Sequence, residues 1–181
     1  MLKSIRGMKI NEFSGKPNIS LIGFMCSGKT TLGRNIARLK NLSHHDTDKM
    51  IINHEGKSIT DIFDEHGEKY FRTLEAAMIE SLKNVKGSVI SCGGGVVLNE
   101  ANMQILREIS VVIYLHMSPE KIYERLGRNN NRPLLTGEET ESKISGLFES
   151  RKPLYMKYCH KAVDVTDFSI EESVALILGM I

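Results

Sequence analysis

The stretch GFMCSGKT at residues 23–30 decides the fold of this 181-residue chain. It matches the pattern GxxxxGK[ST], follows an apolar run, and precedes apolar residues at helical spacing. Glycines let the backbone curl so that successive N–H groups face a phosphate, and the helix N-terminus adds partial positive charge. The stretch therefore predicts a nucleotide-binding loop in which Lys29 reaches the β and γ phosphates and Thr30 binds Mg²⁺. The alternative is a chance glycine-rich turn between a strand and a helix.

Strand-like and helix-like segments alternate along the rest of the chain. Short apolar, β-branched runs lie at 19–24, 88–91, 111–116 and 162–165, with a weaker one near 42–45. Apolar residues recur at helical spacing over 30–39, and again over 71–82 in a helix that Phe71 opens. This alternation predicts an α/β fold with three α/β/α layers and a five-stranded parallel sheet. Ligands should collect where its strands end.

Composition and charge exclude several other classes of protein. Lys and Arg total 24 against 22 Asp and Glu, a net charge of +2 that gives no support to nucleic-acid binding. The longest apolar stretch, 174–181, is far shorter than the roughly 20 residues that cross a bilayer. The three cysteines are odd in number and widely spaced, which disfavours a disulfide framework or a zinc site. We expect a cytoplasmic protein with a leader at 1–17 and one domain at 18–181.

Two carboxylates follow the weak second strand, at Asp46 and Asp48. Strand alternation would send both to the same side, where Asp46 could join the hydration shell of Mg²⁺ and Asp48 could orient a substrate hydroxyl or accept its proton. The alternative is that one of them only caps a helix starting near Lys49. The adjacent His44 and His45 would point in opposite directions on a strand, so packed or solvated histidines are favoured over a metal site.

Two further motifs fit a small anionic substrate. Arg72 and Glu75 lie three residues apart on one helix face, where the guanidinium could hold a carboxylate and Glu75 could fix its rotamer. A solvated ion pair is the alternative. Three consecutive glycines at 93–95 follow the third apolar run and indicate a close approach of backbone N–H groups to a ligand, with a plain tight turn as the alternative.

The later part of the chain contributes arginines. A polar segment at about 127–139 is typical of a mobile lid, and one of the three arginines at 125, 128 and 132 could reach the transferring phosphoryl group. Solvated arginines in an exposed loop are the alternative. Arg151 stands just before Pro153, where a helix should break or kink. A locally cationic cleft is predicted despite the balanced net charge, formed by Lys29, Arg72, Arg125, Arg132 and Arg151.

In this order, the motifs GFMCSGKT, DTD, FRTLE, GGG, RPLL and RKPLY resemble those of the shikimate kinase family, a P-loop group similar to nucleoside monophosphate kinases. The resemblance runs from about residue 18 to the C-terminus. It implies a P-loop kinase fold and ATP-dependent phosphorylation of the 3-hydroxyl of shikimate to shikimate 3-phosphate, a step toward chorismate and the aromatic amino acids. It also implies one Mg²⁺ ion with ATP, a monomer, and a substrate-binding region at about 47–83.

The same resemblance implies roles for individual residues. The catalytic residues would be Lys29, Asp48 and Arg132. Shikimate would be bound by Asp48, Phe63, Phe71, Arg72, Glu75, Gly93, Gly94, Gly95, Pro133, Leu134 and Arg151. The nucleotide would be bound by Ser27, Gly28, Lys29, Thr30, Thr31, Arg125 and Arg132, and the metal by Thr30 and Asp46. Two departures are Cys92, where many relatives carry another residue before the glycines, and the lack of a basic residue near 164–168 for the adenine.

Two rival functions remain at this point. One is another small-molecule P-loop kinase, for example a gluconate or nucleotide kinase, although Asp48, Arg72 and Arg151 together favour a compact acid that carries hydroxyls. The other is a catalytically silent nucleotide-binding regulator. A protein without turnover would have no chemical need for the complete set of Lys29, Thr30, Asp46, Asp48 and Arg132.

Overall fold

A computed structural model describes residues 16–127 and 138–181, with the side chains of 138–141 left out. The predicted leader and lid fall mostly outside these ranges, and so do Arg132, Pro133 and Leu134. The described chain forms a five-stranded sheet with the order β2-β3-β1-β4-β5, and every neighbouring pair is parallel. The strands are β1 (Asn18–Ile22), β2 (Ser43–Asp46), β3 (Ser88–Ser91), β4 (Ser110–His116) and β5 (Lys161–Asp164). The prediction of a three-layer α/β/α fold with five parallel strands is confirmed.

Seven helices are described around this sheet. They are α1 (Lys29–Lys40), α2 (Thr47–Glu55), α3 (Ile59–Ser81), α4 (Glu100–Ile109), α5 (Pro119–Gly127), α6 (Glu138–Tyr158) and α7 (Ile170–Leu178). Helix α1 packs beside α7, α3 beside α4, and α5 beside α6, while a short 3-10 turn at Val96–Leu98 contacts α6. Among the described helices none is both long and apolar enough to cross a membrane.

Helix α3 begins well before the predicted 71–82 segment. Ser58 and Asp61 form a reciprocal capping box at its start, and the helix is interrupted at Gly67, where φ is 75° and ψ is 174°. Phe71 therefore lies in the second half of the helix rather than at its opening. The Ser-x-x-Asp pattern at 58–61 was the sequence signal for the true start.

Helix α6 continues through Pro153, so of the break or kink predicted at that proline the break does not occur. A proline inside a helix withholds one N–H donor, and the chain tolerates this here because the helix is anchored on both sides of it. Phe148 and Tyr155 are both buried in the main core, at 1% and 0% exposure. This packing keeps Arg151 on a continuous helix.

Two hydrophobic clusters organise the interior. The main one joins the sheet to its covering helices, and strand β4 is buried over nearly its whole length. A smaller cluster of Ile51, Ile62, Phe71 and Leu74 joins α2 to α3. The α2–α3 pair thus has a small core of its own beside the carboxyl ends of the strands.

Three predicted motifs meet at one end of the sheet. The 23–30 loop follows β1, Asp46 ends β2, and the three glycines follow β3. Since β2, β3 and β1 are neighbours and run in the same direction, the segments that leave them share one edge.

Candidate active site

A cavity of about 950 Å³ opens at this edge and collects most of the predicted site residues. Ser27 lies outside its lining and borders a smaller adjoining cavity of about 150 Å³. Arg132, Pro133 and Leu134 cannot be placed because they lie outside the described residues. The predicted residues that line the larger cavity are Gly28, Lys29, Thr30, Thr31, Asp46, Asp48, Phe63, Phe71, Arg72, Glu75, Gly93, Gly94, Gly95, Arg125 and Arg151.

The 23–30 loop wraps around the amine of Lys29. Its Nζ donates to the carbonyl oxygens of Gly23 at 2.9 Å and Phe24 at 2.7 Å. Gly23 and Gly28 have φ values of 150° and 91°, and a Cβ on Gly23 would lie 2.6 Å from the Leu115 carbonyl. Both glycines are therefore needed for this turn. Burial lowers the pKa of Lys29, and the nearby Asp48 carboxylate partly opposes that shift.

Asp46 caps helix α2, as the alternative from the sequence proposed, and it also contacts Thr30. Its Oδ2 accepts a hydrogen bond of 2.6 Å from the Thr30 hydroxyl, and its Oδ1 accepts one of 3.1 Å from the backbone N–H of Lys49 as the N-cap of α2. The carboxylate is thus fixed from two sides and only 8% exposed. Asp48 belongs to the first turn of α2 rather than to a strand, so the alternation argument for its direction was wrong, although both aspartates line the cavity.

A hydrogen-bonded chain that the sequence analysis missed supports the start of α1. The Ser91 hydroxyl donates to the carbonyl of Lys29 at 3.0 Å and lies 2.9 Å from Nε2 of His44. The Ser91 hydroxyl gives its only proton to the carbonyl of Lys29, so in the contact with His44 it can only accept. Nε2 of His44 must therefore carry a proton and donate it to the Ser91 oxygen. A Cβ on Gly33 would collide with Ser91 Oγ and lie 2.8 Å from His44 Nε2, so the glycine lets α1 approach the sheet. His44 is a packed histidine, as predicted.

Asp48, Glu75 and Gly93 are in tight contact. A Cβ on Gly93 would lie 2.5 Å from Oδ1 of Asp48 and 3.0 Å from Oε1 of Glu75, so two carboxylates converge on the bare glycine. The N–H of Gly93 donates to the hydroxyl of Thr47 at 2.8 Å. That N–H is therefore already used by the protein, and Gly94 and Gly95 are the better candidates for backbone donors to a ligand.

Arg72 is held by two carboxylates. Its Nη1 donates to Oε2 of Glu75 at 2.9 Å, and its Nη2 and Nε donate to Oε1 of Glu68 at 2.8 and 3.2 Å. A Cβ on Gly95 would collide with the guanidinium. Glu75 is only 1% exposed, and burial raises its pKa although Arg72 opposes the shift. Its Oε1 has no hydrogen-bond partner among the described residues.

Helix α6 supplies a second cation and a brace for the glycine loop. Arg151 lines the cavity with its Cζ 6.0 Å from the ring centre of Phe24, and its buried Nε has no hydrogen-bond partner among the described residues. The Tyr155 hydroxyl donates to the carbonyl of Gly94 at 2.5 Å. Burial raises the pKa of Tyr155 to about 12, although Arg151 opposes the shift, so this hydroxyl remains a donor.

Apolar groups close one wall, and Arg125 links the two cavities. The rings of Phe63 and Phe71 are 4.8 Å apart between centres and both border the larger cavity. Arg125 donates from Nη1 to the carbonyl of Cys26 at 3.1 Å and lines both cavities. Phe168, 44% exposed, borders the smaller cavity at the place where no basic residue was found.

In the described part of the chain, the cleft that was predicted to be cationic is lined by both basic and acidic side chains. Four basic residues line the larger cavity, namely Lys29, Arg72, Arg125 and Arg151, against five acidic ones, Asp46, Asp48, Asp64, Glu68 and Glu75. Glu68 and Asp64 were not among the predicted site residues, although both line the cavity. The i, i+4 spacing of Glu68 and Arg72 could have revealed the first of these. No group of three or more potential metal-ligating His, Cys, Asp or Glu residues occurs within 16–127 and 138–181.

Comparison with known proteins places this geometry in a family. A sequence model of the family described as "Shikimate kinase" matches residues 25–181. A shikimate kinase of Caldanaerobacter subterraneus is 43% identical over 155 residues, which cover 86% of this chain and 90% of that protein. The structure of a shikimate kinase from Acinetobacter baumannii in complex with shikimate superposes with a TM-score of 0.85 at 34% identity, covering 92% and 93% of the two chains. A gluconokinase from Sinorhizobium meliloti, at 20% identity and a TM-score of 0.58, shares the fold alone.

Proposed function

The chain belongs to the shikimate kinase family, and on that premise we propose how its own residues transfer a phosphoryl group from ATP to the 3-hydroxyl of shikimate. The products are shikimate 3-phosphate and ADP, in the route to chorismate and the aromatic amino acids. One observation carries the assignment of roles. The 23–30 loop, a carboxylate that can face a hydroxyl, and two arginines that can face a carboxylate all line the same cavity.

The substrate side of the cavity suits a small hydroxylated acid. Arg72 and Arg151 can hold its carboxylate, and the Phe63 and Phe71 rings can support the face of its ring. Asp48 is then the acceptor for the hydroxyl that reacts, orienting it and taking its proton as the new O–P bond forms. Glu75 keeps Arg72 in place from a buried position. The N–H groups of Gly94 and Gly95 complete the polar contacts.

On the nucleotide side the protein mainly positions and neutralises charge. Lys29 lies at the mouth of the phosphate loop, and a bound polyphosphate would counteract the burial that lowers the pKa of its amine. Arg125 borders both cavities, which fits a contact with the adenine, while Arg132 is assigned to the lid from its motif alone. Ser27, Gly28 and Thr31 supply the remaining contacts of the phosphate loop and of α1.

The donor set near Thr30 fits Mg²⁺. The ion favours hard oxygen ligands in octahedral geometry and keeps several waters together with phosphate oxygens. The Thr30 hydroxyl is such a donor, and Asp46, hydrogen-bonded to it at 2.6 Å, can accept from the metal's water ligands. We propose one Mg²⁺ held there with ATP; when bound, the ion neutralises the phosphates. The protein's own contribution is the fixed orientation of Thr30.

The two rival functions are disfavoured by these residues and by the family match. A nucleotide kinase has no evident use for Arg72 and Arg151 beside a small apolar wall, because a nucleobase needs a larger acceptor pocket. Gluconate is also a hydroxylated acid, and a gluconate kinase is disfavoured by the family match instead. A silent regulator has no evident use for Asp48 beside the bare Gly93.

We further propose a leader at 1–17, a single domain at 18–181 with substrate region 47–83 and lid 127–139, and a cytoplasmic monomer that binds neither nucleic acid nor membranes. The three free cysteines are compatible with that compartment.

A coupled assay of ADP release tests the function. The enzyme, ATP and Mg²⁺ are combined with shikimate, gluconate or a nucleoside monophosphate. We expect release that depends on shikimate and stays near background with the other acceptors. An Asp48→Asn variant should lose turnover while it retains ATP binding, and near-normal turnover in that variant would refute the role given to Asp48.

A further inference from the structure

Glu68 occupies an edge of Arg72 that a ligand carboxylate would need. A guanidinium can hold a carboxylate through two parallel N–H groups on either of two edges, Nε with Nη2 or Nη1 with Nη2. In this chain both donors of the first edge already point to Oε1 of Glu68, at 3.2 and 2.8 Å.

The second edge of Arg72 faces the backbone of Gly95. The position that a Cβ would take on Gly95 is closest to Nη1, then 2.5 Å from Nη2 and 2.6 Å from Cζ. Because both terminal nitrogens are nearer than the carbon between them, this position lies past the Nη1–Nη2 edge, although it also stands off the guanidinium plane. For a carboxylate that enters the cavity, one edge of the Arg72 guanidinium is therefore covered by the glycine loop, and the other is occupied by Glu68.

The two glutamates that hold Arg72 differ in how easily they can leave. The side chain of Glu75 is 1% exposed, whereas that of Glu68 is 59% exposed. Removing a buried carboxylate from its cation is costly, but an exposed i, i+4 ion pair contributes little and exchanges readily with solvent. Glu68 is thus the exchangeable partner.

We propose that Glu68 is an internal competitor for the substrate's carboxylate and so a residue that determines affinity and selectivity, an inference that rests on the function proposed above. In the empty cavity Glu68 satisfies the Nε and Nη2 donors of Arg72. A ligand carboxylate replaces it at that edge, and the released glutamate is solvated. A simple monocarboxylate gains only this exchange. A ligand that also reaches Asp48 and Arg151 gains enough to displace Glu68, which favours hydroxylated acids over other anions.

The test compares Glu68→Gln with Glu65→Gln by calorimetric binding and steady-state kinetics. Glu65 is on the same helix, 46% exposed, and pairs with Lys57 instead of Arg72, so its variant controls for the loss of one negative charge. The exposed pair at Glu68 is weak, so we expect the Kd and KM for shikimate to fall about two- to fivefold in Glu68→Gln. The kcat and the KM for ATP should stay within about twofold. The neutral methyl ester of shikimate should bind wild type and variant equally.

Several outcomes would overturn the proposal. A higher Kd for shikimate in Glu68→Gln would mean that Glu68 orients Arg72 for the ligand and does not compete with it. An unchanged Kd, or an equal fall in Glu65→Gln, would also count against it. If the wild type fails to phosphorylate shikimate, the proposed function is wrong. Binding of benzoate to wild type and Glu68→Gln then still decides the role of Glu68, because competition predicts tighter benzoate binding in the variant and equal binding refutes it.

Discussion

Replacing Gly93 with alanine tests how closely the substrate site is packed. The added Cβ would lie 2.5 Å from Oδ1 of Asp48 and 3.0 Å from Oε1 of Glu75. Carbon and oxygen normally approach to about 3.3 Å, so the Asp48 carboxylate must retreat by roughly 0.8 Å. Gly93 is absent from the residues with positive φ, so the backbone accepts alanine and the effect is confined to the side chains.

A displacement of this size has a large expected effect on catalysis. Misplacing a reacting group by about 1 Å can cost about 100-fold in rate, equivalent to about 2.7 kcal/mol of barrier. We therefore expect Gly93→Ala to lower kcat about 100-fold at saturating shikimate and ATP, with unchanged affinity for ADP. Coupled ADP release measures the rate, and calorimetry measures nucleotide binding.

Two other glycines provide matched controls. A Cβ on Gly94 would lie 3.5 Å from the backbone N of Met25, an ordinary contact, and a Cβ on Gly146 of α6 meets nothing within 4 Å. Gly94→Ala should lose less than about fivefold in kcat, because a contact at 3.5 Å does not displace the reacting groups. Gly146→Ala should be fully active. The reasoning is refuted if Gly93→Ala keeps kcat within threefold of wild type, or if Gly94→Ala is equally damaged.

Three further predictions concern the support of the site. Tyr155→Phe leaves the Gly94 carbonyl without its donor and should lower the free energy of unfolding by about 1–2 kcal/mol in denaturant titrations; no change would contradict that role. Burial raises the pKa of Glu75, so folding favours its protonated form, and wild-type stability should fall, relative to Glu75→Gln, as pH rises above the ordinary value of 4.5. A pH-independent difference would show that this shift is absent. Thr30→Val removes the hydroxyl that donates to Asp46 and should raise the Mg²⁺ concentration needed for half-maximal rate at least tenfold, whereas Thr30→Ser should not.

Local patterns predicted the parts of the site that lie directly after strands. The 23–30 loop, Asp46 and the glycine triplet each follow an apolar run, and in a parallel sheet such segments meet at one edge. Periodicity also predicted the five strands, although the ends shifted by a residue or two. Arg72 was predicted correctly to lie on a helix face with Glu75, since both are fixed by helical spacing alone.

Local sequence patterns could not predict contacts between residues that are far apart in the chain. Tyr155 donates to Gly94 from 61 positions away, and no local signal marks that pair. Pro153 was expected to break a helix because propensity ignores the tertiary packing that holds α6 on both sides. The electrostatic balance was misjudged because the quoted motifs contain the arginines, whereas Asp64 and Glu68, which add negative charge to the cavity, belong to none of those motifs.

Asp46 joins the proposed nucleotide and acceptor sites through one carboxylate. One oxygen holds Thr30 at the start of α1, and the other holds the N-terminus of α2, the helix that carries Asp48 in its first turn. Under the proposed roles, two hydrogen bonds connect the metal side of the cavity to the side that would bind the substrate hydroxyl. Any free-energy coupling that this path creates must act equally in both directions. If bound nucleotide raises the affinity for the acceptor by some factor, then bound acceptor raises the affinity for the nucleotide by the same factor.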